Sequence, residues 1–250
     1  MPHIGRYEIL EKIGEGGMGV VYKARHPVLD KVVALKELAG AFVSDEEVVE
    51  RFMREARVMA NLSDYRHVVQ VFDCSEADGK YYYTMEYIPL SLSEYLGDGG
   101  STDERTRRIK QASKVIDVEE AVGIARDVLK GLAVIHKAGI VHRDISPQNI
   151  MLLKDDGRIR AKITDFGIAG LRDSGLTSSA LGGIGKEIYA APEQIESLSR
   201  TDERSDLYSL GVLMYRMLTG RLPIGRFKDP MDLNKDVSSY LNELILHAFE

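Results

Sequence analysis

The chain has 250 residues, 44% hydrophobic and 29% charged, a balance that suits a folded protein and excludes disordered or collagen-like polymers. A net charge of −6 argues against nucleic acid as a partner, and the single cysteine, Cys74, can form neither an internal disulfide nor a thiolate metal site. No apolar run is long enough to form a membrane segment, and Met1 to Arg6 offers no signal-peptide core, so a cytoplasmic location is expected.

Taken in chain order, Tyr7 to Ile13 and Gly19 to Ala24 read as a hairpin around glycines, and Lys31 to Leu38 as a third strand. Ser44 followed by Glu47 resembles a capping box and predicts a helix over Ser44 to Leu62. Its inner stripe runs Val48, Phe52, Glu55, Met59, Leu62, so one member is a carboxylate. Val68 to Phe72 and Tyr81 to Tyr87 read as strands joined by the turn Ala77-Asp78-Gly79-Lys80. Gly97 to Lys114 is polar and mixed in charge, which reads as a solvated loop or insertion. Val118 to Lys137 predicts an amphipathic helix capped by Asp117 and closed by Gly139; Ser205 to Thr219 predicts another, closed by Gly220. The fold class is α+β, with a small β lobe over residues 1–88 and a larger helical lobe over residues 89–250.

Gly14-Glu15-Gly16-Gly17-Met18-Gly19 has the spacing of a phosphate-binding loop, although glycines also serve ordinary hairpin turns. A dinucleotide fingerprint opens a helix, whereas a strand follows here. Lys36 lies inside an apolar strand, where a lysine head usually reaches for water. Glu55 on the inner stripe of the next helix changes that, because a buried carboxylate and a buried ammonium each need a partner. Pairing the two satisfies both.

His142-Arg143-Asp144-Ile145-Ser146-Pro147-Gln148-Asn149, Asp165-Phe166-Gly167 and Ala191-Pro192-Glu193 follow in order. With the glycine loop and Lys36, they resemble the protein kinase family, specifically bacterial serine/threonine kinases of eukaryotic (Hanks) type. The resemblance runs from the glycine loop to Asp206. It implies the two-lobed protein kinase fold, with a small antiparallel β lobe carrying one main helix.

Carried over by position, the resemblance implies that Gly14, Gly16 and Gly19 cover the ATP phosphates, with Ile13, Glu15, Gly17, Met18 and Val20 completing the loop. Val21 and Ala34 would line adenine, with Met85 as gatekeeper and Glu86, Tyr87 and Ile88 as hinge. Lys36, positioned by Glu55, would hold the α- and β-phosphates. Asp144 would accept the substrate hydroxyl's proton, and Asn149 and Asp165 would hold Mg²⁺, with Mn²⁺ as an alternative. Met59, Val71, His142 and Phe166 would form the family's regulatory stack. Asp206 becomes a buried acceptor bracing the catalytic loop, whereas His136 reads as a packing or cap residue.

Two positions depart from the family. Ser146 stands where such kinases carry lysine, and Lys186 where they carry threonine. The complementary change suggests a swap, in which Lys186 supplies the ammonium and Ser146 the hydroxyl. The plainer reading leaves Lys186 a solvated loop residue. Arg143 can pair with a phosphorylated activation segment, so Ser174, Thr177, Ser178 and Ser179 are candidate phosphosites, Thr177 first.

The implied activity is transfer of the ATP γ-phosphoryl group to serine or threonine of protein substrates, with autophosphorylation and activation through a kinase–kinase dimer. The alternatives are a pseudokinase scaffold, a small-molecule phosphotransferase and a tyrosine kinase. Against the family pattern the chain stops midway at Glu250, so it reads as truncated. The arginine that normally pairs with Glu193 would then be missing, a loss of about 3–5 kcal/mol for a buried pair.

Overall fold

Alternating apolar positions in the first third of the chain build one antiparallel sheet. Its strands are β1 (His3–Ile4), β2 (Tyr7–Gly16), β3 (Gly19–Arg25), β4 (Val32–Leu38), β5 (Val71–Ala77) and β6 (Lys80–Glu86), in the spatial order β1-β2-β3-β4-β6-β5. Asp78 and Gly79 both take positive φ, 52° and 71°, the geometry of a tight two-residue hairpin turn between β5 and β6. The computed structural model describes residues 2–16, 18–62, 64–97, 114–166, 188–196 and 201–250. These fall into two compact units, one reaching Ile88 and including Phe166, the other holding Pro89–Asp165 and the described residues from Ile188 onward.

In the first unit the period of two sorts side chains onto two faces. Ile4, Tyr7, Ile9, Ala24, Val33, Leu35 and Tyr82 form one buried cluster. The other face carries Tyr83, whose ring lies 5.2 Å from that of Phe52 on the helix α1 (Glu46–Asn61). That helix buries Val48, Phe52, Glu55, Ala56 and Met59. Its cap is Asp45, which accepts from Glu47 N and Val48 N, rather than the Ser44 expected from the capping-box pattern. The strand expected at Val68 to Phe72 also lies later in the chain, because buried Val68 and Val69 belong to the segment leading into β5.

The second unit opens with β7 (Leu90–Ser91) and the short helix α2 (Leu92–Tyr95), which starts at a Ser91–Glu94 capping box. Helix α3 (Val118–Lys137) is capped by Asp117 as predicted and packs on a hairpin of β8 (Ile150–Asp155) and β9 (Arg158–Ile163). It also packs on α5 (Glu203–Thr219), which follows the short α4 (Pro192–Glu196). Helix α5 buries nearly every side chain from Ser205 to Leu218 and stops at Gly220, whose φ of 68° allows the left-handed turn.

Helices α6 (Pro230–Leu233) and α7 (Ser239–His247) cover α5. A Cβ on Gly211 would come 2.7 Å from Ala248 Cβ, so this contact needs glycine. Phe249 stacks edge-on against Tyr208 and Phe227, and Phe227 against Tyr215. Among the described residues no helix is long and apolar enough to cross a membrane.

Candidate functional site

Register in the first unit brings several of the expected nucleotide-binding residues onto one sheet face. Lys36 pairs with Val21 on one side and Tyr83 on the other, and Ala34 pairs with Met85. Val21, Ala34, Lys36, Tyr83 and Met85 therefore share a face, and Gly14 sits opposite Val21 on β2. The glycines differ in what their backbone meets. A Cβ on Gly19 would collide with the Glu37 carbonyl oxygen, so packing alone demands glycine there. Among the described residues nothing lies within 4 Å of a Cβ position at Gly16, so there they leave the backbone open to an approaching group. Gly17 lies outside the described residues; Ile13 and Glu15 lie on β2, Val20 on β3 and Met18 in the turn before β3, and Glu86 and Ile88 follow Met85.

Lys36 Nζ donates to Glu55 Oε1 at 3.0 Å, and the Glu55 side chain is only 3% exposed. The same oxygen accepts from the Tyr83 hydroxyl at 2.9 Å. Sequence reasoning missed Tyr83. The available signal was its register, since a residue opposite Lys36 must face α1 as Lys36 does.

The second unit carries the loop from His142 to Asn149. Asp206, fully buried at the start of α5, accepts from His142 N at 2.9 Å and Arg143 N at 2.8 Å. Arg143 takes a φ of 65°, the left-handed turn that aims both N–H groups at one carboxylate. His136 at the end of α3 reaches the same group, with Nε2 2.7 Å from Asp206 Oδ2, so it is more than a packing or cap residue.

Within the loop, Asn149 Nδ2 donates to the Asp144 carbonyl and to Asp144 Oδ2, both at 2.8 Å. Both bonds use the amide nitrogen, so the Asn149 Oδ1 atom takes no part in them. Asp144 N donates to His142 Nδ1 at 3.2 Å, so that nitrogen accepts and the ring proton sits on Nε2, 3.1 Å from the Thr164 carbonyl. Burial pushes the His142 imidazole below its ordinary value despite the nearby Asp206 and Asp144 charges, which agrees with a neutral ring. Asp165 follows Thr164 in a left-handed conformation with φ 53°.

Ser146 is fully buried, and its hydroxyl has no partner among the described residues. Lys186, Thr177, Ser178 and Ser179 lie outside the described residues, as does Ser174. Met59, Val71, His142 and Phe166 are each buried. Gln194, unremarked in the sequence, holds Arg143 O and Ala191 N at 3.0 Å each and ties α4 to the loop. Glu193 is half-buried and accepts from Ser205 Oγ at 2.5 Å. The carboxylate expected to lack a partner therefore has a hydroxyl donor, and its partial exposure removes most of the penalty expected of a one-sided buried pair.

The protein kinase domain model matches residues 7–246. A probable serine/threonine-protein kinase of Clostridium perfringens is 37% identical over 260 residues, covering 98% of this chain and 35% of the relative. Serine/threonine-protein kinase PrkC of Bacillus subtilis is 36% identical over 220 residues, covering 88% of this chain and 31% of the relative. A crystal structure of the Mycobacterium tuberculosis PknI kinase domain matches with a TM-score of 0.72 at 26% identity, covering 100% of this chain and 89% of that chain. The chain thus spans about a third of the length of these two curated relatives.

Proposed function

Since the chain belongs to the protein kinase family, with residues 7–246 matching its domain model, we propose that it transfers the γ-phosphoryl group of ATP to serine and threonine hydroxyls of protein substrates. The observation that carries this reading is the Asp144–Asn149 pair: one side-chain amide nitrogen holds both the carbonyl and the carboxylate of Asp144. Relatives named as serine/threonine kinases support turnover over a pseudokinase scaffold.

Bound ATP with a divalent ion would supply the phosphoryl group and neutralise its charge; Mg²⁺ suits the hard oxygens of Asn149 Oδ1 and the Asp165 carboxylate. Lys36, held by Glu55, would orient the α- and β-phosphates, and the open backbone at Gly16 fits a phosphate approach. Val21, Ala34 and Met85 would offer the apolar face for adenine. Asp144 would orient the substrate hydroxyl and take its proton as the oxygen bonds to the γ-phosphorus. The bond from that phosphorus to the bridging oxygen breaks, and ADP leaves.

Ser146 with its unpartnered hydroxyl is where Lys186 would bring the missing ammonium. Arg143, whose buried Nε has no partner among the described residues, would receive a phosphate placed on Thr177, Ser178 or Ser179. A second copy of the chain would serve as the activating partner, and the need for ATP fits a cytoplasmic location.

The test is phosphate incorporation from Mg-ATP into casein and into the protein itself, comparing parent with Asp144→Asn. Loss of a general base predicts a rate lower by about a hundredfold or more, and equal incorporation would remove the assignment. In the same assay, a Lys186→Met protein as fast as the parent would sink the swap alone.

A further inference from the structure

We propose that Tyr83 is a positioning residue for the kinase reaction: its hydroxyl, together with Lys36, locates the buried Glu55 carboxylate and so sets where the Lys36 ammonium is held. The inference rests on the kinase reading above. Sequence alone makes Tyr83 one of three consecutive tyrosines on β6, and each has a different setting. Tyr82 joins the hydrophobic cluster on the far face, whereas Tyr83 faces α1 and is fully buried. Filling that space would require only a ring. A buried hydroxyl is costly unless it is bonded, so its retention needs an acceptor, and Glu55 Oε1 at 2.9 Å is that acceptor.

The bond to Glu55 is charge-assisted and converges with a second one. Lys36 Nζ reaches the same Oε1 at 3.0 Å, and Lys36 and Tyr83 are register partners on adjacent strands. Two donors fixed by one ladder therefore converge on a single oxygen of α1. The ammonium also lies 5.5 Å from the centre of the Tyr83 ring, close enough for a cation–π attraction. Phe52, three residues before Glu55, packs on the same ring at 5.2 Å. The tyrosine thus touches the lysine, the glutamate and the helix carrying the glutamate.

Replacing Tyr83 by phenylalanine keeps the ring and removes one oxygen. Titration calorimetry of the chain with Mg²⁺ and a non-hydrolysable ATP analogue should then show affinity weakened about fivefold or more. In a Glu55→Gln background the same change should add less than about twofold, because both substitutions act through one carboxylate.

A Tyr83→Phe protein that melts earlier yet binds the analogue like the parent would overturn the inference and leave a packing role. So would effects that simply multiply in the double variant. A parent that fails to bind the analogue at all removes the kinase reading, and this inference with it. A parent that binds while the variants match it removes this inference alone.

Discussion

His142 engages both ring nitrogens, accepting from the Asp144 amide and lying within bonding distance of the Thr164 carbonyl, which requires the neutral form. Burial holds its proton affinity below the ordinary value in the fold, so the unfolded chain protonates first as the medium is acidified. Its contribution is intact above about pH 6.5, the unfolded value, and is lost progressively below it. The thermal midpoint should therefore fall between pH 7 and pH 5, and the fall should be shallower in His142→Gln. Parallel curves for parent and variant would contradict this account. The neighbouring roles were legible at uneven depth. Asp144, Asn149 and Lys36 are legible because their motifs have fixed spacing, whereas Tyr83, Gln194 and His136 act through tertiary neighbours far away in the chain.

At the scale of elements, α1 shows how packing chooses among adequate local signals. Ser44 and Asp45 are both good caps, but burying Val48, Phe52, Glu55 and Met59 sets the helix phase that makes Asp45 the residue receiving Glu47 N and Val48 N. Asp45→Ala should cost about 1 kcal/mol in urea unfolding, while Ser44→Ala should stay within about 0.5 kcal/mol of the parent. The reverse order would restore the capping box read from the sequence.

Helix α3 was legible to the residue because Asp117, Gly139 and an amphipathic stripe agree. The β8–β9 hairpin was not identified, although Asp156 and Gly157 take positive φ values of 49° and 76° and form a recognisable turn pair. The segment from Val68 misled because a short apolar run marks burial as readily as pairing.

For the whole molecule, order along the chain carried more than any single motif. Glycine hairpin, Lys36, Glu55, Asp144, Asn149, Asp165 and Asp206 occur in sequence, and the structure gives Lys36–Glu55 and Asp144–Asn149 as bonded pairs within their own units. The C-terminal region was harder to foresee. Its stability comes from the aromatic contacts of Phe249, Phe227, Tyr208 and Tyr215 and the close approach of Gly211 to Ala248, none of which has a local sequence signature.

The most direct test of the central claim is phosphoamino-acid analysis after incubating the chain with γ-labelled ATP, Mg²⁺ and casein. The account predicts label on phosphoserine and phosphothreonine, dependent on Asp144. Label confined to phosphotyrosine, or no label in the parent protein, would contradict it.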